Sequence, residues 1–307
     1  MKNNNVLAWA ILIILALVWG SSFILIKRGL TVFSPGELGA IRILAACLFL
    51  VPVSIPKLRK LSAHHIKLLF LIGMVGTFIP AFLFAWGQTK LDSGITGVLN
   101  ALTPISTLIM GGVFFNQKFT KANYGGIALA FIGTTVLLFA GSDGGLGTIN
   151  FYAFFIVFAT ICYGTNLNVI KNYLADLNPV VITSVSILLV GPFAGIYLLA
   201  ATDFDQKLVE VDGALLAFGY IALLGVVGTA LALIIFNKLV QITTPIFTST
   251  VTYLIPVVAL GWGIWDGETL NNGQLAGILT ILLGVFITNR KRKNQLPSSK
   301  RKVATTG

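Results

Sequence analysis

The chain alternates between long stretches without a charged residue and short polar breaks. Uncharged stretches cover residues 6–26, 68–87, 93–115, 122–140, 144–170, 177–201, 213–236, 242–265 and 269–289, and 38–55 is of the same kind apart from Arg42. A helix needs about 20 apolar residues to cross a hydrocarbon core of about 30 Å. The pattern therefore predicts ten transmembrane helices. Helices with almost no polar side do not suit a soluble fold, where each surface helix needs one. The first stretch is longer than a signal-peptide core and is followed by no small-residue cleavage site, so it reads as a retained helix.

The stretches also repeat. Trp19-Gly20-Ser21-Ser22-Phe23 falls on Tyr163-Gly164-Thr165-Asn166-Leu167 at an offset of 144, with Lys27 over Lys171 and Pro35 over Pro179. At an offset of 152, Gly76-Thr77 falls on Gly228-Thr229 and Pro104 on Pro256; at 151, Gly126 and Gly133 fall on Gly277 and Gly284. The expected fold is an all-α integral membrane protein of ten transmembrane helices in two inverted five-helix repeats. The first repeat is 1–143, the second 144–290, and a basic, disordered cytoplasmic tail, 291–307, follows. Each half crosses the membrane an odd number of times, so the second faces the opposite way, as alternating access uses.

Composition agrees: 56% of the residues are hydrophobic and 10% charged, against about 25% charged in soluble domains, and the mean hydropathy is +0.91. The net charge of +11 follows the positive-inside rule and calls for no nucleic acid. With the N-terminus in the cytoplasm, the inward segments hold Lys57, Arg59, Lys60, Lys67, Lys118, Lys121 and the basic tail, whereas the outward ones hold Lys27, Arg28, Lys90 and Lys207. Both termini are expected in the cytoplasm. Cys47 and Cys162 lie inside spans two and six without ligand spacing and read as packed small residues. His64 and His65 read as a solvated interfacial pair.

The candidate chemistry lies where polar residues interrupt the spans. Pro104 and Pro256 fall near the middle of spans four and nine. A mid-helix proline displaces the carbonyl four residues back, here those of Asn100 and Thr252. Lipid cannot satisfy a freed carbonyl, so a matched pair of broken helices points to a midplane site, the alternative being a plain kink. Thr96, Asn100, Thr103 and Thr107 share one face of span four by their 4-3-4 spacing, and Thr244, Thr248 and Thr252 one face of span nine, with Ser249 and Tyr253 beside them. On spans one and six, Trp19 with Ser22 and Tyr163 with Asn166 occupy equivalent places near mid-membrane, where the rings either contact an organic solute or pack the bundle. Arg42 is the costliest residue to bury. It has three readings: snorkelling outward, pairing with Glu37, or attracting a substrate carboxylate. Gly126 with Gly133 and Gly277 with Gly284 form small-residue stripes, which mark spans five and ten as packing elements. No other ionisable residue lies deep in a span, and no phosphate-cradling Gly-rich Lys loop is present, which disfavours a buried-acid proton relay and an ATP-driven pump.

In this order and doubling, Trp19-Gly20-Ser21-Ser22-Phe23, Lys27, Pro35, Arg42, Pro104 and Pro256 resemble the EamA family of the drug/metabolite transporter superfamily, from about residue 6 to 289. The family's Gly-Glu after the fourth span of a repeat stands as Gly267-Glu268 in the second half; the first half reads Asn116-Gln117. The resemblance implies a multi-pass carrier of the bacterial inner membrane, often an exporter of amino acids or other metabolites. It also implies a central cavity lined by spans one, three, four, six, eight and nine. The expected function is secondary transport of a small polar or aromatic metabolite by alternating access. The partners are that solute and the lipid bilayer, with a homodimer left open and no cofactor or metal. A lipid-linked sugar flippase on the same scaffold is the nearest rival; a membrane-embedded enzyme would need a convergent catalytic set that the spans lack.

Overall fold

A computed structural model of the chain describes residues 2–140, 150–242 and 251–289. Thr244, Thr248 and Ser249 of the candidate site, and the tail 291–307, lie outside the described residues. Among the described residues all regular structure is helical. Eight helices are long and apolar enough to cross a membrane: α1 (Leu7–Gly29), α2 (Pro35–Leu58), α3 (Ala63–Gly87), α4 (Ser93–Phe114), α5 (Lys121–Phe139), α6 (Ala153–Tyr173), α7 (Pro179–Ala200) and α8 (Ala214–Leu239). Two shorter apolar helices follow, α9 (Val251–Trp265) and α10 (Asn272–Thr288). The chain is thus a multi-pass membrane protein with ten apolar helices among the described residues, and a short helix, Phe204–Glu210, precedes α8.

The helix starts follow from local chemistry. Ser34 accepts the Glu37 N–H while Glu37 accepts the Ser34 N–H, a capping box followed by Pro35 in the first turn. Thr120 and Asn123 open α5 in the same way, and Asn271 with Gln274 exchange the corresponding bonds ahead of α10. Each apolar helix then divides into a buried and an exposed face. On α1, Leu12 and Leu15 are fully buried, whereas Ile13, Ile14 and Leu17 are exposed. A row of exposed aliphatic side chains suits contact with lipid tails and would be a liability in water.

Helices α5 and α10 interlock through their glycines. A Cβ on Gly133 would stand 2.6 Å from the Ile281 backbone nitrogen, and one on Gly277 2.8 Å from that of Leu137. Gly126 meets Gly284 and Gly133 meets Gly277, so the two helices run antiparallel. Helices α2 and α7 are also antiparallel, with Gly36 against Tyr197 and Gly191 against Cys47. Both cysteines are free and buried. Backbone contact at small residues lets dispersion act over a long seam in lipid, where no hydrophobic drive exists between helices.

Three irregularities shape the centre. Helix α4 breaks after Asn100: Ala101 and Leu102 form a tight turn, and the helix resumes at Thr103. Helices α3 and α8 each contain a π-helical segment, Met74–Phe78 and Leu224–Leu231. These segments hold Gly76-Thr77 and Gly228-Thr229, the pair matched at an offset of 152. The expected second break, at Pro256, is not found: α9 is continuous from Val251 to Trp265. Proline removes one N–H and displaces one carbonyl; in α4 the freed Asn100 carbonyl accepts a bond from the Thr103 hydroxyl (2.8 Å), which stabilises the turn.

Candidate transport cavity

A cavity of about 170 Å3 lies among α1, α2, α3, α4, α6, α8 and α9. A water needs roughly 10–15 Å3 on this measure, so there is room for a solute of roughly ten non-hydrogen atoms. The cavity gathers Trp19, Ser22, Arg42, Asn100, Thr103, Tyr163, Asn166 and Thr252 from α1, α2, α4, α6 and α9. Thr96, Pro104, Tyr253 and Pro256 do not line it. Thr96 is fully buried with its hydroxyl on the Asp92 carbonyl. The Tyr253 hydroxyl donates to the Val285 carbonyl of α10. Neither α5 nor α10 reaches the cavity, in keeping with their reading as packing elements.

Sequence reasoning missed part of the wall. Gly76, Thr77, Gly228 and Thr229 come from the two π segments, and Phe23, Phe84 and Phe236 add rings. The doubling of Gly-Thr carried the signal, since glycine at a close approach beside a hydroxyl suits a site. A Cβ on Gly76 would stand 2.6 Å from Asn166 Cγ, and one on Gly228 3.3 Å from Ser22 Oγ. Gly76 and Gly228 are equivalent by repeat, and so are Asn166 and Ser22. Each half therefore sets its π-segment glycine against the polar residue on the other half's first helix.

The rings are held in place. Trp19 Nε1 donates to the Gly228 carbonyl at 3.0 Å, and its ring lies 5.2 Å from Phe236. Tyr163 stacks on Phe84 at 5.9 Å. Thr103 also approaches Asn100 Oδ1 at 3.4 Å, besides taking the backbone carbonyl.

Arg42 enters the cavity from α2, a helix absent from the expected lining. Its Nε donates to Thr229 Oγ1 at 3.0 Å. The Arg42 carbonyl lies against Gly225, where a side chain would collide with it, so α8 approaches α2 closely at this point. Pairing with Glu37 does not occur. The Glu37 carboxylate accepts both bonds from Lys207 Nζ, at 2.9 and 2.8 Å, and caps Ser34.

An ionic cluster ties together the end of α1, the start of α4 and the end of α9. Lys27 Nζ meets Glu268 at 2.7 Å and Asp266 at 2.8 Å, and Arg28 pairs with Asp266. Glu268 also accepts the Ser93 N–H, the Ser93 hydroxyl and the Gly94 N–H. Burial alone would raise the Glu268 carboxyl; the Lys27 ammonium and the Ser93 and Gly94 donors outweigh it and hold the group below its usual range. Gly267 before it has φ +89°, and Asn116, its repeat equivalent, has φ +55°. Gly and Asn are the residues that tolerate this conformation. Gln117, the equivalent of Glu268, donates instead to Asn168 Oδ1 at 3.1 Å.

The chain is similar to known transporters over nearly its whole length. An uncharacterized transporter of Archaeoglobus fulgidus is 26% identical over 290 residues, covering 92% of this chain and 99% of that protein. A probable amino-acid metabolite efflux pump of Salmonella typhimurium is 26% identical over 290 residues, covering 90% and 92%. A solved crystal structure superposes with a TM-score of 0.61 at 14% identity, over 91% of this chain and 95% of the other, which shows a shared fold. The model of the EamA-like transporter family matches twice, over residues 7–139 and 150–290. With both segments matched and the fold shared, the chain belongs to the EamA-like transporter family.

Proposed function

We propose that this membrane transporter exports a small metabolite across the cytoplasmic membrane by alternating access, with two inverted halves rocking about the central cavity. The observation that carries the reading is the reciprocal wall: Gly76 against Asn166 and Gly228 against Ser22, a cavity built by each half in equal part. The antiparallel seams between equivalent helices, α2 with α7 and α5 with α10, support inversion. Export is favoured by the efflux pump among the relatives. The cavity's rings, hydroxyls and amides suit a solute with an apolar body and a polar end.

Asn100 provides the test. In liposomes carrying the purified protein, saturable flux of a solute is expected in the wild type. Asn100→Leu should lower it roughly tenfold, the loss of one hydrogen bond worth about 1–1.5 kcal/mol. Full flux in correctly folded Asn100→Leu would remove this cavity from the transport path.

A further inference from the structure

We infer that the transported solute is an organic carboxylate of net charge −1, held by Arg42, and that its export is electrogenic. The inference rests on the transporter reading above and adds the charge class of the solute and the driving force.

Among the described residues Arg42 is the one cation on the cavity wall, and no Asp, Glu, Lys or His lines it. Among the described residues no carboxylate lies within ion-pair distance of Arg42. Three carboxylates at the helix ends are committed elsewhere: Glu37 to Lys207, and Asp266 and Glu268 to Lys27 and Arg28. A guanidinium does not lose its proton in a protein, so this charge is permanent. An unpaired permanent charge deep among apolar helices is unfavourable, and a mobile counter-ion relieves it.

The geometry of the guanidinium selects the counter-ion. Thr229 Oγ1 engages Nε, and the two terminal nitrogens form no hydrogen bond with any described residue. Their planar fork matches a carboxylate in two parallel bonds. The other walls are the Trp19–Phe236 and Tyr163–Phe84 pairs, which suit an apolar or aromatic body. An ammonium group would find no anionic side chain here and would sit beside a cation. A carboxylate without an ammonium is therefore favoured over a zwitterion, and a zwitterion over an amine.

The driving force follows from the same arrangement. Among the described residues no carboxylic acid or histidine lines the cavity, so neither group is there to exchange a proton for the solute. The protein returns to its starting state after each cycle, and the net charge moved is that of the solute. A potential negative inside the cell then drives a monoanion outward.

Three solutes that share a phenylethyl body separate the possibilities: 3-phenylpropanoate, phenylalanine and phenethylamine. Each is loaded into proteoliposomes, and efflux is followed with and without a valinomycin-set potassium gradient. Efflux of 3-phenylpropanoate should exceed that of the other two by about tenfold, and a tenfold potassium gradient, negative inside, should shift its steady-state distribution outward by about tenfold. Arg42→Gln should abolish the preference and Thr229→Val should weaken it. Faster efflux of phenylalanine or phenethylamine, or efflux of 3-phenylpropanoate that ignores the potential, would overturn the proposal. Thermal stabilisation of the purified protein by 3-phenylpropanoate, lost in Arg42→Gln, gives a readout independent of flux. Arg42-dependent stabilisation without flux would sustain the charge assignment and sink the transport reading. Neither stabilisation nor flux would sink both.

Discussion

Glu268 is the most heavily engaged carboxylate of the described chain, with bonds from Lys27, Ser93 and Gly94. Glu268→Gln keeps the shape and removes the charge, and should destabilise the protein by about 2 kcal/mol, in the range of a lost charged hydrogen-bond partner. The contribution also depends on pH. Because the folded-state value is lowered, the stabilisation is complete above the ordinary value of 4.5 and is lost as pH falls below it through the lowered value. Asp92 has the opposite sign: burial and the neighbouring Glu268 charge raise it, so its ionisation opposes folding as pH rises. Melting midpoints in detergent between pH 7 and 3 therefore need the difference between wild type and Glu268→Gln, which should shrink below pH 4.5. A constant difference across that range would show that Glu268 acts through shape alone. The sequence made the pair visible as Gly267-Glu268 but left its contacts open, because Lys27 and Ser93 are remote in the chain.

Legibility at this scale depended on what helical spacing encodes. Spacing places residues on a common face but does not say what that face meets. Asn100 and Thr103 reach the cavity, whereas Thr96 turns to its own helix. Thr96 and Asn100 both precede the break at Ala101 and Leu102 and lie one turn apart on a common face, so spacing alone does not say how far along that face the cavity extends. Tyr253 neighbours Thr252 in sequence yet points to α10, since adjacent helical positions are about 100° apart.

Among whole elements, α5 and α10 were the easiest to read. Two glycine pairs seven residues apart predict a close antiparallel or parallel seam, and the structure supplies the antiparallel one. Gly133 and Gly125 give a matched comparison. A Cβ on Gly133 meets the Ile281 and Gly277 backbones, whereas one on Gly125 meets nothing within 4 Å. Gly133→Leu should destabilise by about 1–3 kcal/mol through overpacking, and Gly125→Leu should leave the melting midpoint nearly unchanged. Equal midpoints for the two variants would count against the seam. The π segments were harder to foresee. Gly76-Thr77 and Gly228-Thr229 stood out by repetition, but no sequence rule separates an α turn from a π turn, and such turns gather at functional sites. The matched prolines misled in one respect: α4 breaks and α9 does not, although both carry the residue that permits a break.

Hydropathy accounts for the elements of the whole molecule: the ten apolar stretches correspond to ten apolar helices among the described residues. Its asymmetries were less visible. Arg42 has Ser186 as its repeat equivalent, and the Ser186 hydroxyl bonds the Thr183 carbonyl within α7. Among the described residues, only the first half thus brings charge to the cavity. Likewise Glu268 bridges three helices, while Gln117 bonds Asn168. A single sequence records such differences only as mismatches between the matched positions.

The most direct measurement uses Leu233, which lines the cavity from α8 without a polar role. Leu233→Cys is placed in a background of Cys47→Ala and Cys162→Ala and treated with a membrane-impermeant maleimide in right-side-out and inverted vesicles. Reaction from both sides, slowed by a transported solute, is the outcome expected of a cavity that opens alternately; Leu12→Cys, fully buried in the core, should react from neither. Reaction of Leu233→Cys from one face alone, with or without solute, would contradict alternating access.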